Sequence, residues 1–271
     1  MAMRPLASTP IAVPAHGGAV VLRGAIFRPS SLRPNAGHPV VVWNHQSPLT
    51  VDERAKMTPY DVPGAIAWFV ERGYAVVSVL RRGFGASGGR FEEGVGRDAL
   101  YAKAGRAAGR DIRAVLEHLR QVDDVDRDRV VLAGHSAGGF GALAVLDDEP
   151  VADVRVRLVL DFAGGKGAQW LREGPPFTDA LVAAVAEYGR RSRTPTSWIY
   201  ADNDLWFPPP IVDRMLAAYR AAGAPAELVR LPAVGDDGHE LFTDAAIMLW
   251  ADAVERFLAA TVVSGPSRAR E

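Results

Sequence analysis

Val130-Val131-Leu132-Ala133-Gly134-His135-Ser136-Ala137-Gly138-Gly139 reads as a buried β-strand that turns abruptly into a helix. The turn has the form Gly-x-Ser-x-Gly, and its flanks give it meaning: aliphatic and β-branched residues before it, an Ala/Leu-rich stretch over 137–146 after it. So tight a strand-to-helix turn forces the serine into a strained backbone conformation. Gly134 and Gly138 leave room where neighbouring backbone comes close, and Ser136 is lifted clear of the sheet. At a helix amino terminus its oxygen faces free N–H groups, which favour a developing negative charge. The Ala137 N–H is the candidate donor. The competing reading is a glycine-rich helix start that packs tightly or holds a phosphate, but the stretch lacks the Gly-Lys-Ser/Thr ending of a phosphate loop.

Outward from this turn, short apolar runs alternate with stretches of helical periodicity. Strands are expected over 40–43, 74–80, 129–133, 156–162, 196–200 and 227–231. Helices are expected over 63–72, 105–121, 137–146, 178–188, 211–222 and 243–260. A hairpin, 9–13 with 19–27 around His16-Gly17-Gly18, precedes them, and the Pro/Ser/Gly-rich 28–39 reads as a loop. Alternation of this kind implies a mostly parallel twisted sheet with helices on both faces, an α/β architecture. Residues 1–271 read as a single domain, with 264–271 a frayed tail. The stretch 164–195 has room for about one helix and a loop, too little for a large lid.

The chain of 271 residues is 48% hydrophobic and 23% charged, close to the globular average. Its 31 basic and 32 acidic residues give a formal net charge of -1 and are dispersed, which argues against nucleic acid as a partner. It has no cysteine, so disulfides, thiolate metal sites and a cysteine nucleophile are excluded. The opening Met1-Ala2-Met3-Arg4-Pro5 reaches polar and turn residues too early for a secretory signal. No stretch approaches the roughly 18 uninterrupted apolar residues of a membrane span. A cytoplasmic protein with no membrane contact is the expectation.

A serine hydroxyl is a weak nucleophile at neutral pH and needs an adjacent base, which in turn needs an orienting acid. After a serine on such a turn the order is Asp or Glu, then His. Of six histidines only His239 lies downstream of Ser136, in the turn-rich loop 234–242. His16, His38, His118 and His135 read as structural, and Asp236 and Asp237 as turn formers. Asp202 and Asp204 compete for the role of acid at the end of the 196–200 strand. Asp204, three residues after Ala201 and four before Pro208, resembles the Gly-x-x-Asp-x-x-x-Pro turn of many α/β hydrolases. Asp202 suits a turn cap.

Trp43-Asn44-His45-Gln46-Ser47-Pro48 is similar to the His-Gly oxyanion loop of those enzymes, with Gln46 where glycine is usual. By that alignment the Ser47 N–H is the second oxyanion donor, and the Gln46 amide can contribute. Arg81-Arg82-Gly83-Phe84-Gly85-Ala86-Ser87-Gly88 resembles another of their loops. A nucleotide-binding reading of its Gly-x-Gly would need a first βα turn and a distant acidic residue that the context lacks. The chain as a whole resembles the α/β-hydrolase superfamily and its dienelactone-hydrolase-like group, and Val125-Asp126-Arg127-Asp128-Arg129-Val130 is similar to a lead-in common in that group and in prolyl-oligopeptidase-like relatives. The resemblance implies a serine hydrolase of the carboxylesterase type, acting on a small-molecule ester without metal or organic cofactor. Dienelactone hydrolases proper use a cysteine where this chain has Ser136. Trp206, Phe207, Trp170 and Phe177 are candidates to line the substrate pocket. A peptidase or amidase is the alternative enzyme, and a hydrolase-fold binding protein without turnover is the non-enzymatic one.

Overall fold

The computed structural model describes residues 6–30 and 37–263. The tail over 264–271 and residues 31–36 of the 28–39 loop fall outside these residues. Eight strands form one sheet: β1 (Ser8–Ala15), β2 (Val20–Phe27), β3 (His38–Asn44), β4 (Ala75–Val79), β5 (Val125–His135), β6 (Val156–Phe162), β7 (Thr196–Ala201) and β8 (Ala226–Leu231). Their order is β1-β2-β4-β3-β5-β6-β7-β8. The hairpin joins β4 antiparallel, and every pairing from β4 to β8 is parallel.

All residues of β3 and β4 are buried, the mark of strands covered on both faces. The helices are α1 (Val51–Lys56), α2 (Pro63–Glu71), α3 (Tyr101–His118), α4 (Ala137–Val145), α5 (Ala168–Leu171), α6 (Phe177–Gly189), α7 (Pro209–Ala221) and α8 (Asp244–Val263). They pack as two groups, α2 with α8, and α3, α4, α6 and α7 with one another. Trp250 of α8 joins the first group to the sheet, with ring centroids 5.0 Å from Trp68 and 5.1 Å from Phe162. Over 164–195 the chain forms only α5, α6 and their links, so no large lid covers the carboxyl edge of the sheet.

Two departures from the sequence pattern have local causes. The charged lead-in Val125–Arg129 belongs to β5, because Val125 and Asp126 pair with His38 and Pro39 before a bulge carries the register to Val40–Val130. Helix α1 has no apolar stripe to betray it. Its signal is the capping box of Thr50 and Glu53, in which the Glu53 N–H donates to Thr50 Oγ1 and the Thr50 N–H donates to Glu53 Oε2, both at 3.2 Å.

The crossing of β5, β3 and α4 is closely packed. A Cβ added at Gly134 would press on the Gly138 backbone, and one at Gly138 would overlap the carbonyl oxygens of Asn44 and His45. Both strand ends are backbone there and cannot yield as a side-chain tip would. Gly138→Ala is therefore expected to lower stability by about 1–3 kcal/mol, read from the midpoint of urea unfolding at unchanged slope.

Candidate active site

Ser136 sits between β5 and α4 with φ 53° and ψ -119°, a strained conformation for a residue with a side chain. Three backbone hydrogen bonds hold it there. Its N–H donates to the Phe162 carbonyl (2.9 Å), and its carbonyl accepts from Phe140 N–H (3.0 Å) and Gly165 N–H (3.1 Å). Among the described residues its hydroxyl makes no hydrogen bond, so it is free to turn toward an incoming group.

His239 lies in the loop after β8. Its Nδ1 is 3.1 Å from Asp204 Oδ2, and both residues are buried. Asp204 Oδ1 accepts the Trp206 and Phe207 N–H groups, each at 2.8 Å. Asp202 is exposed and faces Arg230 at 3.8 Å. Asp237 does more than form a turn. Its Oδ1 accepts from the N–H of His239 (2.9 Å) and of Leu205 (3.1 Å), and its Oδ2 from Trp206 Nε1 (3.1 Å). It thus binds the acid loop to the histidine loop.

The variable residue of the turn also takes part. His135 Nε2 is 2.9 Å from the His239 carbonyl, and the two rings lie 4.8 Å apart. Burial, then the neighbouring His239, pushes the His135 pKa well below its ordinary value. The neutral ring therefore carries its proton on Nε2 and donates it to that carbonyl.

A small pocket of about 110 Å³ joins Ser136, Ala137 and Ser47 to Trp206 and Phe207. The last two also flank the His239 ring, at 5.6 and 5.7 Å between centroids. Gln46 is exposed and does not line this pocket. Trp170 and Phe177 stack on each other at 5.6 Å and likewise stand outside its lining.

Sequence reasoning missed a buried charge cluster that reaches the wall of this pocket through Glu93 and Lys166. Arg81, Glu93 and Lys166 are 2%, 2% and 8% exposed. Glu93 accepts from Arg81 Nε (2.5 Å) and Nη2 (3.2 Å) and from Lys166 Nζ (2.9 Å). Burial alone would raise its pKa, but the two cations win and hold it at about 2. Arg81 Nη1 also donates to the His45 carbonyl (2.7 Å), and its N–H donates to His45 Nε2 (3.0 Å). Burial, then Arg81, keeps the His45 ring neutral, so Nδ1 bears the proton and donates to the Gln46 carbonyl (2.6 Å). The backbone leading to Ser47 is thereby fixed without the glycine usual at position 46. The signals were a lysine just after Gly164-Gly165 at a strand end and an acidic pair in a glycine-rich loop. Neither has a spacing that marks it.

Beneath the elbow lies a second buried acid, Asp161, whose pKa burial raises to about 7. Tyr200 Oη stands 3.1 Å from Asp161 Oδ2 and 2.6 Å from the Gly164 carbonyl. The Tyr200 hydroxyl is shared as a donor between these two acceptors.

Fold and elbow together are those of the α/β-hydrolase fold, with Ser136 on the turn between β5 and α4. More particularly, residues 60–152 match the prolyl oligopeptidase family, a span that includes Ser136 but neither Asp204 nor His239. Solved structures are similar over nearly the whole chain. A Bacteroides ovatus protein assigned as a dipeptidyl aminopeptidase IV is 16% identical with a TM-score of 0.70, covering 94% of this chain but only 36% of that one. An esterase of Pyrococcus furiosus is 16% identical with a TM-score of 0.65, covering 94% and 91% of the two chains. A Klebsiella pneumoniae protein assigned as a dienelactone hydrolase is 15% identical with a TM-score of 0.63, covering 96% and 99%. Such likenesses establish the fold alone. No curated protein matches the sequence. No helix among the described residues is long and apolar enough to cross a membrane.

The raised pKa of Asp161 has a definite sign for stability. The native state holds the proton up to about pH 7, whereas the unfolded chain releases it near the ordinary value of 3.8. The group's contribution is complete below that lower value and is lost as pH rises to about 7. Melting temperatures should therefore show Asp161→Asn gaining on the parent between pH 4 and pH 7.5. A constant difference across that range would mean that the carboxyl is ionised in the native state.

Proposed function

We propose that the protein is a serine hydrolase that cleaves small carboxylic esters through an acyl-enzyme, with Ser136 as nucleophile, His239 as general base and Asp204 as the orienting acid. The observation that carries this reading is the convergence of two halves. The strained serine opens on a pocket with Ala137 and Ser47, and the Asp204-bonded imidazole lies behind two other walls of that pocket, Trp206 and Phe207. Because Nδ1 is engaged by Asp204, Nε2 is the nitrogen left to take a proton. Without substrate, the hydrogen bond from serine to base is commonly long or unmade.

In this reading the Ser136 oxygen attacks the ester carbonyl as its proton passes to His239 Nε2. The resulting oxyanion is held by the N–H groups of Ala137 and Ser47. Collapse breaks the bond to the alcohol oxygen, which leaves with the proton from the imidazolium. Water then attacks the acyl-enzyme with the same base, releasing the acid and restoring the Ser136 hydroxyl. A pocket of about 110 Å³ suits a short acyl group. Arg54 and Lys166 stand against Glu93 on its lining, and Glu93 is already paired with Arg81 behind it, which favours an anionic group on the substrate over a cationic one.

Peptide or amide cleavage is the second reading, supported by the prolyl oligopeptidase match over residues 60–152. Paired assays of short p-nitrophenyl esters and aminoacyl p-nitroanilides separate the two, the esters being the faster substrates in the first reading. Ser136→Ala is expected to lower ester turnover by roughly 10⁴- to 10⁶-fold and to abolish labelling by a fluorophosphonate. Turnover at the parent rate would remove Ser136 from its role, and a parent chain that resists the label would favour a binding protein. Lys166→Met should lower kcat/KM for a p-nitrophenyl hemiester of succinate more than for the butyrate ester, and equal losses would deny the pocket its charge preference.

A further inference from the structure

A second cavity lies apart from the one at Ser136. About 650 Å³ in volume, it opens at the amino edge of the sheet, where Arg155 and Val156 enter β6 and Thr194 precedes β7. Ser136 stands at the carboxyl end of β5, so the length of a seven-residue strand, roughly 20 Å, separates the two. They share no lining residue. The volume lies within the range of sites that enclose a small organic molecule.

The walls of this cavity divide by chemistry. Its apolar side consists of Leu116 of α3, Val145 at the end of α4, and Val151 and Val154 in the following loop, all buried. Its charged side carries Arg113, Arg155, Arg190, Arg191 and Arg193 against Asp148 and Glu149. Three of these arginines have protein partners. Arg113 Nε donates to Glu117 (3.1 Å), Arg191 Nη2 faces Glu149 (3.6 Å), and Arg193 Nη1 donates to the Ser192 carbonyl (2.8 Å). The guanidinium groups of Arg155 and Arg190 have none among the described residues. A guanidinium meets a carboxylate or phosphate through two parallel N–H donors. Two of them above an apolar wall specify a ligand with an anionic head and a hydrocarbon body.

We propose that this cavity is a second ligand site, separate from the ester pocket, for an organic anion with an apolar body of moderate length. Arg155 and Arg190 bind the head, while Leu116, Val145, Val151 and Val154 cover the chain. The site requires no chemistry of its own and is independent of the reading of Ser136.

Isothermal titration of the full chain with octanoate, octyl phosphate, 1-octanol and octylammonium tests it. Octanoate or octyl phosphate should bind with one-to-one stoichiometry, octanol at least about tenfold more weakly, and octylammonium not at all. The phosphate arm shows which head the arginines prefer, and tight binding of either supports the site. The double variant Arg155→Glu/Arg190→Glu should weaken anion binding by about tenfold or more, with far-ultraviolet circular dichroism unchanged. A variant that fails to fold is replaced by Arg155→Gln/Arg190→Gln, with the same expectation. No binding of either anion at millimolar concentration, equal binding of octanol, or anion binding undiminished in the folded double variant would overturn the proposal.

Discussion

The structure depends on a close approach of backbone to backbone. The first turn of α4 lies against the last residues of β3, and only the missing side chains of Gly134 and Gly138 allow it. That approach sets the height of Ser136 above the sheet and forces its positive φ. It also brings the Ala137 N–H and the loop carrying Ser47 to the same pocket. The strain is local, and the hydrogen bonds from Phe140 and Gly165 to the Ser136 carbonyl spread its restraint over α4 and the loop after β6.

A chain of buried charge reaches the same point from the other side. Lys166, Glu93 and Arg81 form a continuous ion-paired path from the pocket wall to the His45 carbonyl. Desolvating three charges is costly, and such a group is not a source of stability by itself. Its effect is positional. Each partner satisfies another, and the surplus donor of Arg81 is spent on backbone that must hold one shape. The neutral His45 ring completes the arrangement through its contact with Gln46.

Much of this was legible in the sequence because it rests on short-range signals. The elbow shows itself by a strand, two glycines and a helix in ten consecutive residues, and the parallel order by alternation along the chain. Position relative to Pro208 favours Asp204 over Asp202 as the acid, and in the fold Asp204 meets the His239 ring while Asp202 meets Arg230. What escaped notice depends on contacts between distant segments. Glu93 and Lys166 are 73 positions apart, and Asp237 looked like any turn aspartate because its partners Leu205 and Trp206 lie on another loop. His135 sits where the motif admits any residue, so its grip on the His239 carbonyl has no local signature. Helix α1 announces itself only by its cap, too short a signal to weigh against the surrounding polar residues.

The staple made by Asp237 gives the site a mechanical character. Asp204 and the His239 imidazole are assembled on one side as a prefabricated unit, their relative placement settled by the fold itself. The hydroxyl belongs to a separate unit built on β5 and α4, and the histidine-to-carbonyl bond of His135 is the rivet between them. Adjustment at that joint would alter the reach from hydroxyl to imidazole while leaving each half intact, so alignment is governed by how two stiff pieces are seated and not by the looseness of any one side chain.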